Sequence, residues 1–563
     1  MTARASRTTP WASLASGALL AALGACSAEG GERNDDAAGG SAGTAGAAGA
    51  AGKAPAGSIG VATLTQTCDT SALGRPLLRR LTRGELQNTL DDIFPQVKGQ
   101  WSVKFTDVES SLGLDNDPAL LTVGGQVAQQ LLDTADNLAT ALTADGTLAQ
   151  VLPCASSAPD RACAQTFVTQ FGRRLFRRPL TQADQERYLA FFDTQLAASD
   201  FKTALRWVTI GLIQSPYAIY RREVGTVADG TRQLSQYEIA GELAYTFSGT
   251  TPSADLLAQA EAGQLSTPEQ LVGLATQMLG TPAGQEVVHR FFRSWLGYDQ
   301  VPPALSNVQN FATLGPDMVQ ETRKFIEEVV MTSRGGVKEL LTAPYTTPSA
   351  ALAAFYGFPA PAADYAKIDR PAGRGVGVLA QGSLISAHSH EAASSPTLRG
   401  LLVFERFLCG ERPQVPANIP TLVPPSPGVK TTRQRYEEQH MSAGTGCVTC
   451  HKLFDPLGFG FENYDEAGRY RDQEGGLPVN ASGSLTGADA QVLTFTNLDE
   501  LASHLASQPD VGICASGYVN AYAYANGVAC LGETRRPELV AGTLGFLEYY
   551  ASLAGEPSFT RRK

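Results

Sequence analysis

Helix starts written into the sequence as hydroxyl-to-acid spacings restrict this chain to a mainly α fold. Thr82 with Glu85, Thr181 with Asp184, and Ser235 with Glu238 each place an N-cap hydroxyl three residues ahead of a carboxylate. That is the reciprocal arrangement in which two otherwise orphaned backbone N–H groups are satisfied. After Thr82, Leu86, Leu90 and Ile93 fall on one face. After Ser266, Pro268 suits a first turn, Leu271, Leu274 and Met278 continue an apolar stripe, and Gly280 ends it. Similar periods run near 122–143, 163–176, 183–196, 202–214, 284–296, 316–333, 398–408, 498–507 and 537–552. Strand-like runs are short: 218–222, 376–379 and 491–495. Prolines 413, 416, 420, 424, 425 and 427 exclude a helix over 412–427 and predict an extended connection.

The N-terminus reads as an export signal. Arg4 and Arg7 precede an apolar run over 11–25, and Leu23-Gly24-Ala25-Cys26 forms a lipobox. The run is about 15 residues, short of the roughly 20 that span a bilayer as a helix. Cys26 is the expected lipidation site and mature N-terminus, so that acyl chains hold the protein on a membrane without a spanning segment. An ordinary secretory signal, with Cys26 released or free, is the competing reading. Ser27 in place of an aspartate favours the outer membrane. Residues 27–58 are mostly Ala, Gly and Ser with a few charges. They have too little apolar area to offset the entropy of ordering, and form a flexible tether. Without Arg4 and Arg7, 42 basic residues face 55 acidic ones, a net charge of −13 that argues against a nucleic-acid partner.

Chemistry concentrates at Cys447-Val448-Thr449-Cys450-His451, a complete C-x-x-C-H. In covalent c-type haem attachment each thiol adds to a porphyrin vinyl group, and the adjacent histidine is placed under the iron. One haem c is therefore expected, held by Cys447, Cys450 and His451, in a compartment where such attachment takes place. Two other readings stay open: a Cys447–Cys450 disulfide, and half of a zinc site, although no second C-x-x-C exists. Phe459, Phe461 and Tyr464 are candidates to wall a haem ring, and Arg469 or Arg471 to meet its propionates. For a sixth iron ligand the densest cluster is His388-Ser389-His390-Glu391, giving His390 or alternatively His388; His440 and Met441 lie close before Cys447. The nine cysteines are 26, 68, 154, 163, 409, 447, 450, 514 and 530. With one assigned to lipid and two to haem, six remain, which allow fifteen connectivities. Cys154 with Cys163, and Cys514 with Cys530, are the locally nearest pairs.

The order of motifs resembles the planctomycete-type cytochrome-c-like multidomain proteins, also common in myxobacteria, whose segments are mostly domains of unknown function. The matching stretches are 80–90 (RLTRGELQNTL), 171–180 (FGRRLFRRPL), Gln214-Ser215-Pro216-Tyr217 with Tyr220-Arg221, 234–247, Ser294-Trp295-Leu296-Gly297, 394–400 (SSPTLRG) and 447–471. In the last, Cys447 to His451 is followed by DPLGFGFENYDEAGRYR. The sequence after Asn526-Gly527, with Cys530, departs from the family's last domain. The resemblance implies a largely helical haem c protein with an unassigned reaction, and carries over no residues beyond Cys447, Cys450 and His451.

The expected organisation is a signal peptide (1–25), a tether (26–63), an N-terminal helical domain (64–200), a central helical domain (201–370), a cytochrome-c-like haem-binding segment (371–475) and a C-terminal helical domain (476–563). The expected function is electron transfer, or haem-dependent oxidation of an unassigned substrate, in a lipid-anchored envelope protein that meets a redox partner protein. The alternative is a surface-anchored binding or scaffold lipoprotein with Cys447 and Cys450 disulfide-bonded and no haem.

Overall fold

Capping decides where the helices begin. In the computed structural model, which describes residues 72–144, 146–413, 430–442, 446–487, 490–525 and 534–563, the three expected capping boxes form at Thr82, Thr181 and Ser235. Two more, Thr267 with Gln270 and Thr431 with Gln434, use an amide in place of the acid. The fold is mainly α, with its few strands short and paired antiparallel. No helix among the described residues is long and apolar enough to cross a membrane.

Helices Arg83–Ile93, Gly125–Leu142, Arg161–Phe176, Gln182–Ala198 and Phe201–Ile213 pack around a core that includes Leu90, Leu138, Phe167, Phe171, Phe192 and Val208. Cys154 and Cys163 are joined, as expected from their nearness, and brace the approach to helix Arg161–Phe176. Arg177, beyond the end of that helix in a left-handed conformation, turns its guanidinium onto the carbonyls of Tyr217, Ala218 and Tyr220. The FGRRLFRRPL and QSPY motifs thus meet as one clamp.

A second core runs from Leu112 to Phe559, with Trp295 at its centre. Trp295 is fully buried, donates from Nε1 to the Arg406 carbonyl at 2.9 Å, and is ringed by Phe407, Tyr518 and Phe546. Helix Pro282–Leu296 is thereby bound to the turn Val403–Phe407 and to helices Pro509–Tyr524 and Phe546–Ser552.

Strand Leu77–Arg80 pairs with Tyr220–Glu223, and Arg561–Arg562 pairs with Thr231–Gln233. Gly74 bridges Arg562, and the Lys563 N–H donates to the Gly74 carbonyl at 2.7 Å. At this junction Arg79, Arg221 and Arg562 are buried with Glu85, Glu223 and Glu242. Glu223 accepts from Arg562 Nη2 at 2.7 Å and lies 3.3 Å from Arg79 Nη2. Arg221 reaches Glu242 at 3.0 Å and Glu85 at 3.2 Å. Such a network is weak evidence for net stability, but removing one member strands a buried charge at about 3–5 kcal/mol.

Several local expectations are corrected. Residues 376–379 are not a strand: Gly377 takes a positive φ of 64° and Val378–Ala380 coil into a tight turn. The run 537–552 breaks into Arg536–Val540 and Phe546–Ser552, because Gly542 is left-handed and Gly545 lies against the Arg334 carbonyl. Cys514 pairs with Cys409, 105 residues earlier, and not with Cys530. Helix packing brings Cys409 and Cys514 to a Cα separation of 5.5 Å, whereas nearness in sequence had favoured Cys530. Cys26, Cys68 and Cys530, the tether, and most of 412–427 lie outside the described residues.

Candidate functional site

The site is assembled by three short segments. Helix Thr432–His440 starts at the Thr431 cap and ends with a buried His440. Cys447 to His451 forms a single helical turn, with the His451 N–H donating to the Cys447 carbonyl at 3.0 Å. After Leu453 and Phe454 the chain turns into Asp455–Gly458, where Pro456 occupies the first turn and Asp455 is fully buried.

Helix Pro396–Leu402 closes over this arrangement through two glycines. A Cβ at Gly400 would stand 2.0 Å from the Phe454 carbonyl oxygen, and one at Gly458 would stand 1.8 Å from the Pro396 carbonyl oxygen. Only bare backbone allows that approach. It delivers Thr397, whose hydroxyl donates to Asp455 Oδ1 at 2.7 Å and lies 3.4 Å from His451 Nδ1. Arg399, on the same helix and fully buried, donates to the carbonyls of Phe461, Tyr464 and Asp465 and to Ser389 Oγ. Burial lowers its pKa to about 10. The SSPTLRG and DPLGFGFENYDE motifs are therefore two halves of one interlocked unit.

Asp455 is its electrostatic centre. Oδ2 is 3.0 Å from His451 Nδ1 and 3.1 Å from His440 Nδ1. Burial opposes the charge on Asp455, but hydrogen bonds from His440, His451 and Thr397 outweigh it and hold the carboxyl below the usual carboxylate range. An ionised carboxylate has no proton to give, so each imidazole donates its Nδ1–H and keeps its lone pair on Nε2. The tautomer of His451 is thus assigned by its partner, with Nδ1 engaged by Asp455. His440 and His451 also stack, with ring centroids 3.9 Å apart. Among the described residues these three form the grouping of ligand-type side chains close enough to share a metal ion.

Cys447 and Cys450 are free, half-buried thiols. The alternative expectation of a disulfide between them is corrected: they stand at either end of one helical turn with their sulfurs unjoined. Two unpaired thiols followed by an imidazole with its Nδ1 engaged are a donor set that fits a covalent haem.

The remaining expected residues are distributed around this centre. His388, at the end of helix Gly382–Ala387, donates from Nδ1 to the Leu384 carbonyl at 2.8 Å, and burial lowers its pKa to about 4. His390 is exposed, with Nε2 3.5 Å from the Tyr436 hydroxyl, and partial burial of its ring lowers its pKa. Tyr436 in turn packs edge-on against His440. His440 itself stands beside His451 on the same carboxylate. Phe461 and Tyr464 belong to the large core, and Phe459 is buried beneath Arg433. Arg469 is paired with Asp465 and Arg471 with Glu462, so both are already committed to carboxylates. Sequence reasoning missed Asp455 and Thr397. The i,i+4 spacing of His451 and Asp455 was the available signal for the first.

Four family models match the chain, each described as a protein of unknown function: PSD3 (DUF1587) over residues 79–144, PSD5 (DUF1595) over 163–223, PSD4 (DUF1592) over 234–358 and PSCyt3 (DUF1588) over 375–474. No curated protein and no solved structure matches it. Thr397, Arg399, His440, Cys447, Cys450, His451 and Asp455 all fall inside the PSCyt3 match.

Proposed function

From the premise that this chain belongs to the planctomycete-type cytochrome-c-like family of domains of unknown function, we propose that it carries one covalent c-type haem on Cys447, Cys450 and His451 and moves electrons through it. When bound, the haem supplies a one-electron couple. The chain's own residues supply two thioether sulfurs and a proximal imidazole. The observation that carries this reading is the pair of unpaired thiols beside a His451 whose Nδ1 is occupied by Asp455, leaving Nε2 for a metal.

The N-terminal apolar run and lipobox ending at Cys26 support the same reading, because thioether formation takes place outside the bacterial cytoplasm. The protein acts in the cell envelope, lipid-anchored at the outer membrane, with a redox partner protein in place of nucleic acid. Roughly 350 residues ahead of the haem segment exceed what an electron carrier alone needs, which favours a binding or catalytic role for the helical body.

The test is expression of the full chain in a host with cytochrome c maturation, followed by haem staining of a denaturing gel and mass spectrometry. The expected result is a porphyrin adduct on the peptide bearing Cys447 and Cys450, lost in the C447A/C450A variant. A colourless wild-type protein made under those conditions rejects the reading.

A further inference from the structure

Two imidazoles converge on one carboxylate oxygen, yet only His451 stands next to the attachment cysteines. A buried carboxylate bonded to the far nitrogen of a ligating histidine has two effects. It locks the ring's orientation and tautomer, and it makes the near nitrogen more basic by drawing its N–H proton outward. A more basic axial nitrogen stabilises the ferric over the ferrous state.

Asp455 is built for this role. It is fully buried, so its field is not screened by water, and it is fixed from Oδ1 by Thr397 and from Oδ2 by His440 as well as by His451. Gly400 and Gly458 hold the Thr397 helix in place. We infer that Asp455 is the positioning residue for His451, orienting Nε2 toward the haem iron and biasing that iron to the ferric state, while Thr397 and His440 temper the bias by sharing the carboxylate's charge. This rests on the haem reading given above, and deepens it by naming the residue that biases the iron's potential toward the ferric state.

The shared carboxylate makes opposite predictions for its neighbours. Asn at 455 still accepts a hydrogen bond from His451 but carries no charge, so the ferrous form gains. Val at 397 removes one donor from Asp455, leaving the carboxylate a stronger acceptor for His451, so the ferric form gains.

The experiment uses the full, matured holoprotein. Haem content is measured first, by haemochrome spectrum and mass, and the reduction potential of the wild type, Asp455→Asn and Thr397→Val is then measured by spectroelectrochemical titration. The expected result is a shift of about tenfold or more toward ferrous iron in D455N, about 59 mV for one electron, and a smaller shift of opposite sign in T397V. Wild type without attached haem removes the reading on which this rests. Attached haem with a potential unmoved by D455N overturns the role of Asp455 alone. If D455N does not mature, T397V decides: a potential equal to or above that of the wild type overturns the inference.

Discussion

Replacing Gly458 with alanine probes the interlock on which the site depends. Gly458 sits at φ −69°, where any residue is at ease, so the requirement for glycine is steric. The added Cβ meets the Pro396 carbonyl oxygen at 1.8 Å, whereas ordinary contact begins near 3.4 Å, so the two segments must separate by about 1.6 Å. Both contacting groups are backbone, which rules out relief by rotating a side chain. A separation of that size carries the Thr397 hydroxyl, now 2.7 Å from Asp455 Oδ1, beyond hydrogen-bonding reach. Loss of a hydrogen bond to a charged group contributes about 1.5–3 kcal/mol. Overpacking contributes about 1–3 kcal/mol more, so the total is about 2.5–6 kcal/mol. Urea unfolding followed by tryptophan fluorescence measures it. With a slope of about 3 kcal/mol/M, the midpoint of G458A falls by about 0.8–2 M. Gly446→Ala is the control, because a Cβ there meets nothing within 4 Å. If G458A unfolds at the same urea concentration as G446A, the backbone interlock is not what places Thr397.

Two further outcomes follow from the cores and the buried charges. Glu223 is penalised by burial, but Arg562, Arg79 and Arg221 outweigh that and lower its pKa to about 2, so its contribution is present above its ordinary value near 4.5 and is lost as pH falls toward 2. Glu223→Gln lowers stability at neutral pH by about 3–5 kcal/mol, and flattens the acid limb of a stability-against-pH curve; an unchanged acid limb refutes the assignment. Peptide mapping without reductant recovers Cys409 linked to Cys514, and C409S/C514S loses about 2–5 kcal/mol because that bond closes a long loop; recovery of a Cys514–Cys530 peptide would show the pairing to be wrong.

What the sequence made legible was local. The capping boxes at Thr82, Thr181 and Ser235 gave helix starts to the residue, since hydroxyl, acid and apolar stripe lie within two turns. Helix Pro509–Tyr524 went unread for a physical reason: nearly every residue from Val511 onward is buried, so no polar face exists to set a 3.6-residue rhythm. Residues 376–379 looked like a strand because four residues are too few to carry a period, and Gly377 gives no sign in sequence of its left-handed turn. At the site, Cys447, Cys450 and His451 announced themselves through contiguous spacing. Thr397 did not, because glycine contacts bring it to Asp455 from 58 residues away, and His440, legible only as a residue close before Cys447, reaches the same carboxylate through the end of its helix. Cys409 and Cys514 are a further case of a partner chosen by packing.

The hydrogen bond from Lys563 to Gly74 carries a topological consequence. The polypeptide enters and leaves the folded body at neighbouring points, so a linker of a few residues suffices to splice residue 563 to residue 72. A circularly permuted body, spliced there and opened at the exposed turn around Gly230, keeps every ion pair of the arginine–glutamate kernel and offers new ends for attaching a probe or a surface.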